Sequence, residues 1–325
     1  MNFDGRLLIA HGDWANNSGP TNAVSYNSSS DSFVNEGAVF LDEAIVKFRQ
    51  TDDGGVVAPG IDATQEWSFG NFYHRKPGGS WQMYRTIPEA IHVWDVLPTA
   101  KTWLAVGVRL GSDSHVHGAA WASSDGGLSW SFLGEDYDKA IGHNQTDQPL
   151  HVWASLGTIG GNVFAFFPLG RCAQLKSEGW IGFSCFPSST SYLAGGFNFE
   201  GNIVLTPGFP IAHSTAAETD RNLYLWDGTR GTTIAFPSPV RDAAVQNGEL
   251  FVLTGRDGVG TIWRTEALSC RCLSDFRSIV RFEVASGRPT AIEVQGEKLY
   301  VGMADGRLFE VIAGSSDEVA VLPKP

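Results

Sequence analysis

Apolar residues along the chain fall into short runs that begin or end at Gly, Asn, Asp or Ser. Examples are RLLI after NFDG at 2–5, NIVLTP after NFEG at 198–201, LFVL at 250–253 and LYVG at 299–302. No stretch carries apolar positions at the three-and-four spacing of an amphipathic helix. The pattern therefore predicts many short strands joined by tight turns, an almost all-β protein. The 38 Gly, 11 Trp and 20 Phe, with only 18% charged residues, agree with packed strands and frequent turns.

The runs repeat. Asn2 to Leu8 matches Asn198 to Val204, each reading as a strand end, a turn and a new apolar strand. Glu43 to Phe48 (EAIVKF) matches Glu89 to Trp94 (EAIHVW) and, more loosely, Gln148 to Trp153 (QPLHVW), as first strands of three successive units. The hairpin LYVGMADGRLFEV at 299–311 resembles 250–265 and, with a longer loop, 103–124. Together these marks give seven units beginning near residues 1, 43, 89, 148, 195, 240 and 290. A spacing of about 45 residues suits four-stranded blades. The expected fold is one domain, residues 1–325, forming a single seven-bladed β-propeller. A lone four-stranded sheet buries little, whereas ring packing covers both faces of every blade. Phe48, Trp94, Trp153, Phe166, Tyr224, Phe251 and Tyr300 then fill blade interfaces. The last unit offers AIEV, LYVG, RLFEV and EVAVLP as four strands, and Met1 to Gly5 is the candidate to pair beside it.

Residues 123–130 read S-x-D-x-G-x-S-W, with Ser123, Asp125, Gly127, Ser129 and Trp130 at the specified places. Each has a structural reason: the carboxylate accepts N–H groups of its own turn, glycine tolerates positive φ, and the aromatic packs below. A weaker copy keeps Gly78, Ser80 and Trp81 but has His74 and Lys76 in place of Ser and Asp. The segment resembles the Asp-box of sialidases and related propellers, and implies a hairpin between third and fourth strands. In sialidases an arginine cluster, an acid/base and an activated tyrosine do the chemistry. Here the first arginine, Arg6, sits in DGRLLI rather than an R-I-P context, so the resemblance carries the turn and not the enzyme. A second resemblance covers residues 6 to about 130: HGDWANNSGPTNAVSYN, EAIVKFRQTDDGG, APGID, GNFYHR and IPEAIHVWDV. This string is similar to propeller domains of tail and other structural proteins of tailed phages and of bacterial surface proteins.

Charge and cysteines narrow the partners. With 35 acidic against 23 basic residues the net charge is -12, which disfavours nucleic acid and anionic membranes. No run reaches the 18 or so apolar residues of a membrane span, and MNFDGRLLIAHGD lacks a signal-peptide pattern. The expected location is a virion, or the extracellular space after lysis, following synthesis in the cytoplasm. Cys172, Cys185, Cys270 and Cys272 are too few for a disulfide scaffold of this size. Cys270-Arg271-Cys272 is half of a zinc pattern with no second pair, so the cysteines read as structural or incidental. No metal and no cofactor are expected.

In a propeller the second-to-third and fourth-to-first connections share one face. The second-to-third loops are expected at 11–22, 60–70, 109–118, 169–180, 208–222, 255–260 and 304–306. Five are long, polar and rich in His, Asp, Asn and Trp, either a shaped surface or tolerated insertions. His11 and Asp13, two apart on a strand, share a side and can bind a metal or orient each other, with Asp62 in the next unit's loop. His92 and His151 occupy matched positions in adjacent units, with Glu43, Glu89 and Asp95 near, as a cation or proton-transfer site or as hydrogen-bonded filler. Trp14, Glu43, Arg49, Trp67, Glu89, Arg109, His115 and His117 are the ligand-binding candidates, and Arg75 joins Arg49 and Arg109 as a bidentate anion donor or an inter-blade bridge.

The favoured function is a non-catalytic propeller serving as a structural or receptor- or glycan-binding part of a virion, partnered by other virion or surface proteins or a cell-surface glycan. The alternatives are a glycoside hydrolase or polysaccharide lyase using His11, Asp13, Asp62, His92 and His151, and a protein-interaction platform.

Overall fold

The computed structural model describes residues 1–12, 19–111, 116–134, 155–187, 193–208, 219–312 and 319–321. Among them the strands form seven four-stranded antiparallel sheets and one three-stranded sheet. The first four-stranded sheet runs Asn2–Phe3, Arg6–Ile9, Thr21–Asn27, Ser32–Phe40. The second runs Arg49–Gln50, Val56–Pro59, Phe69–Arg75, Gln82–Pro88. The third runs Ala90–Leu97, Trp103–Leu110, Val116–Ser123, Ser131–Gly134. The fourth runs Ser155–Ile159, Asn162–Phe166, Arg171–Lys176, Gly179–Ser184. The fifth runs Leu193–Phe199, Asn202–Pro207, Asn222–Trp226, Gly231–Ala235. The sixth runs Val240–Gln246, Glu249–Arg256, Val259–Thr265, Arg277–Glu283. The seventh runs Pro289–Gln295, Lys298–Met303, Leu308–Ile312, Val319–Val321. The all-β expectation holds, and no helix of the described residues is long and apolar enough to cross a membrane.

The first two strands of four sheets meet at the same two-residue turn. Asp4-Gly5, Gly160-Gly161, Glu200-Gly201 and Asn247-Gly248 all have positive φ at both residues. That is the type I′ geometry, whose twist matches the flanking strands. Within a sheet, alternate residues serve opposite neighbours. Phe164 and Phe166 pack with Ile203 and Leu205 of the fifth sheet, while Ala165 between them joins Leu104 and Val106 of the third. Phe251 and Leu253 face the seventh sheet, while Leu250 and Val252 face the fifth. Strands covered on both sides need apolar residues at every position, which is why they read as runs rather than alternations.

The first and last sheets also meet through side chains. Leu7 and Tyr26 pack with Tyr300 and Leu308, and the Met1 amine lies 3.2 Å from Glu293. Asn2–Phe3 pairs with Arg6–Ile9 of its own sheet, so the expected pairing of Met1 to Gly5 with the last unit is corrected. Pairing next door across a type I′ turn has far less loop entropy to overcome than pairing with a strand 290 residues on in the chain.

A second correction concerns Glu43 to Phe48. Asp42–Ile45 lies between His11–Gly12 and Ile61–Ala63 in the three-stranded sheet, and the second sheet begins at Arg49–Gln50. All four residues of Asp42–Ile45 are buried, so the segment needs cover on both sides, whereas the first strand of the second sheet is polar. Residues 169–180 are not a loop either: Arg171–Lys176 is the fourth sheet's third strand. Cysteines form two disulfides, Cys172–Cys185 and Cys270–Cys272. Asp275 offers a carboxylate within 4.8 Å of the second pair, but joined sulfurs supply no thiolates for zinc.

The turn at 123–130 joins the third and fourth strands of its sheet and clamps it to the second sheet. Asp125 accepts bonds from Ser123 Oγ (2.7 Å), Ser129 N (2.9 Å) and Ser129 Oγ (2.6 Å). The Trp130 indole donates to Thr86 Oγ1 at 3.1 Å, and Thr86 donates to Gly127 O at 2.7 Å. Ser129 foremost, through its hydroxyl and its N–H, holds the Asp125 carboxyl down at about 2. Gly127 has φ +90° and a Cβ there would lie 2.3 Å from Phe72, whereas Gly126 (φ +71°) has open space. Gly126→Ala is expected to cost roughly 1–2 kcal/mol for the left-handed backbone alone. Gly127→Ala adds overpacking of about 1–3 kcal/mol. Urea unfolding of both variants checks the order, and equal losses would contradict the contact with Phe72.

Candidate functional site

The first strands of the second to fifth sheets converge on one buried carboxylate. Asp95 is fully buried and accepts from Arg49 Nε (2.7 Å) and Nη2 (2.6 Å), Lys47 Nζ (2.8 Å) and the Leu156 N–H (2.8 Å). Lys47 continues to Ser155 Oγ at 3.0 Å and Gly195 O at 3.3 Å. Arg49 continues to Leu156 O at 2.6 Å and to Gly195 O and Gly196 O at 3.2 Å. A Cβ on Gly196 would lie 2.0 Å from Leu156 O, so only glycine lets these two strands approach. Burial works to raise the Asp95 carboxyl, but Arg49 and then Lys47 outweigh it and hold it at about 2. Burial lowers the Lys47 ammonium to about 8, partly offset by Asp95. Of the ligand-binding candidates, Arg49 is thus spent on main-chain and carboxylate bonds.

The remaining predicted residues divide between two neighbourhoods. His11, Glu43 and Asp62 come together in the three-stranded sheet, whose Ala44 and Ile61 pack on Ile91, Trp94 and Val108 of the third sheet. The three strands come from a second-to-third loop, a fourth-to-first link and another second-to-third loop, so the long loops at 11 and 60 are braced by main-chain pairing. His11 Nε2 lies 2.7 Å from Asn22 O. Beneath, fully buried Asp42 accepts from Asn71 at 3.0 Å and from the Tyr73 hydroxyl. Burial lifts the Asp42 carboxyl to about 6 against those bonds, and lifts Asp62 as well.

On the third sheet, His92 stacks on Trp94 with ring centroids 4.9 Å apart, and burial lowers its imidazole to about 4. Glu89, at φ +57°, pairs with Arg109 at 3.1 Å, and the Arg109 guanidinium lies over Phe132. His117 is buried on the third strand of the same sheet, and Trp67 is 52% exposed on the loop after Ile61–Ala63. Arg75 bridges the first two sheets through Glu36 and Asp4. Asp13, Trp14, His115 and His151 lie outside the described residues.

Two features escaped the reading of the sequence. Asp242 repeats the place of Asp95: both follow a bulge in a first strand, and Asp242 accepts the Ile292 N–H at 2.9 Å as Asp95 accepts that of Leu156. The shared Val-x-Asp of VWD (93–95) and VRD (240–242) was the available signal. Four arginines, Arg221, Arg241, Arg256 and Arg288, line a pocket of about 470 Å3. They come from three separate stretches and carry no motif.

No protein-family model and no curated protein matches the chain. Solved structures do. The β-propeller domain of the Trilobed protease from Pyrococcus furiosus, described as having an open velcro topology, is 12% identical with a TM-score of 0.53, covering 98% of this chain and 93% of that one. Saccharomyces cerevisiae Sqt1 is 12% identical at TM-score 0.53, covering 99% and 84%. A chain of the Mitotic Checkpoint Complex is 12% identical at TM-score 0.59, covering 97% and 91%. These likenesses assign the β-propeller fold and carry no function with it.

Among the described residues no Lys or Arg side chain bonds Asp242 as Lys47 and Arg49 bond Asp95. Burial raises its carboxyl to about 7 despite N–H bonds from Ile292 and Ala243, with Glu293 adding to the rise and the Met1 amine opposing it. The folded value lies above the ordinary 3.8, so between about pH 4 and 7 the unfolded chain releases a proton that the folded chain keeps. Stability attributable to Asp242 therefore falls as pH rises through that window. Asp242→Asn retains an acceptor and removes the slope, while Asp42 is common to both proteins. The Tm of the variant relative to wild type is expected to climb from pH 5 to 8, and a constant difference would refute the buried neutral acid.

Proposed function

We propose that this chain is a single seven-bladed propeller that works by binding, as a structural or receptor- or glycan-binding part of a virion or other extracellular assembly. The observation that carries the reading is that charged groups where four sheets meet are spent on structure. Lys47, Arg49 and Asp95, on or beside the first strands of the second and third sheets, are consumed by one another and by the main chain. His92, the inner-strand histidine, is kept neutral by burial at physiological pH.

Seven four-stranded sheets, a core cluster between each neighbouring pair and side-chain packing of first on last support the ring. Each sheet takes its strands from one continuous stretch, consistent with closure by side chains. The bonding around Asp125 is what the Asp-box resemblance implies for a hairpin turn. The virion setting rests on the resemblance of residues 6 to about 130 to phage structural proteins, and the binding face on the loops braced by the three-stranded sheet.

A broad glycan array read for both retention and release of reducing ends tests the proposal. Retention without release, unchanged in His92→Ala, is the expected outcome. Release that His92→Ala abolishes would make the chain a carbohydrate-active enzyme. Absence of both would remove glycan binding and leave contacts with assembly proteins.

A further inference from the structure

Antiparallel strands alternate in direction, so second-to-third and fourth-to-first connections emerge on one side of every sheet. Four arginines gather on that side across three successive sheets. Arg221 precedes the third strand of the fifth sheet, Arg241 lies in the first strand of the sixth, Arg256 ends its second strand, and Arg288 precedes the first strand of the seventh. With Thr219 and Asp257 they line the 470 Å3 pocket, a size within the range of small-ligand sites.

Two details show how the pocket is held. The register shift between Val240 and Asp242 places a bulge at Arg241, and such bulges re-aim side chains. Arg241 Nε then donates to Gly255 O at 2.9 Å, fixing the guanidinium beside the turn that carries Asp257. Asp242 next to it holds the seventh sheet through the Ile292 N–H, which ties two walls together. Among the described residues neither Arg221 nor Arg256 has an ion-pair or hydrogen-bond partner for its guanidinium, and both are exposed.

Four guanidinia and one carboxylate are among the groups that line this pocket, in a chain whose net charge is -12. Guanidinium groups present paired N–H donors that match carboxylate, sulfate and phosphate oxygens bidentately. We infer that this pocket binds a compact ligand carrying two or more negative charges on such oxyanion groups. The inference rests on the reading of this face as a binding face and names the chemistry it selects. The acidic surface elsewhere repels long polyanions, so the ligand is small or presents its charges locally.

Isothermal titration calorimetry of the full chain at low ionic strength tests this with inorganic pyrophosphate, a sulfated disaccharide, a disaccharide of uronic acids and a neutral disaccharide. At least one anionic probe is expected to bind and the neutral one not to. Arg221→Ala/Arg256→Ala, which touches only exposed side chains and should keep the wild-type Tm, is expected to weaken that binding by about tenfold or more. Pyrophosphate binding tighter than both acidic disaccharides would identify a free phosphate ligand, and the reverse an acidic saccharide; either supports the site. Failure of every anion to bind, or unchanged affinity in the double variant, overturns it. Neutral glycans retained on the array while no anion enters the pocket would overturn this inference alone. Hydrolysis of a disaccharide would overturn the binding-only function, while an arginine-dependent affinity would still uphold the anion site.

Discussion

One buried carboxylate organises half of this molecule. Asp95 has no access to water, and moving such a charge out of water costs several kcal/mol unless its lone pairs are met. Lys47, Arg49 and the Leu156 amide meet them, and the two cations spend their remaining donors on carbonyls and a hydroxyl of the fourth and fifth sheets. The arrangement explains how a first strand of only two residues, Arg49–Gln50, can serve the second sheet. Its place is set by side chains reaching across the ring rather than by a long ladder. Removing one partner of such a cluster typically costs about 3–5 kcal/mol, because the others are left buried and charged. At the corresponding place on the sixth sheet Asp242 has two N–H donors and, among the described residues, no Lys or Arg side chain bonded to it, and its carboxyl rises to about 7 instead of falling to about 2. The same bulge thus holds carboxyls shifted in opposite directions, according to whether side-chain cations reach them.

Much of the fold was legible because it is local. The Asp-Gly, Glu-Gly and Asn-Gly turns between first and second strands announce type I′ hairpins, and strands covered on both faces announce themselves as apolar runs. The likeness of EAIVKF to EAIHVW misled because both are apolar segments of the same length, yet one pairs with loop strands from two sheets and the other lines the ring. No periodicity distinguishes those partners. The site was less legible. His11, Glu43 and Asp62 do come together, but Arg49 and Asp95, 46 residues apart, meet only through tertiary structure. The pocket arginines are dispersed over 68 positions and share no spacing, so nothing short of the fold assembles them.

The proposed binding role rests on how the charged groups of the first strands and of the loop side are arranged. Among the described residues Lys47 and Arg49 bond Asp95, and His92 is desolvated and stacked on Trp94. On the loop side the three-stranded sheet draws its strands from the loops of the first two sheets, and four arginines of the fifth to seventh sheets line one pocket.

The most direct test of the organising role of Asp95 is hydrogen exchange of the intact chain compared with Asp95→Asn. Loss of the charge should speed amide exchange at Arg49–Gln50, Ser155–Ile159 and Leu193–Phe199, while Val240–Gln246 and Pro289–Gln295, tied by Asp242, keep their protection. Equal acceleration throughout the chain, or none at the Leu156 amide, would show that the ring stands without this carboxylate.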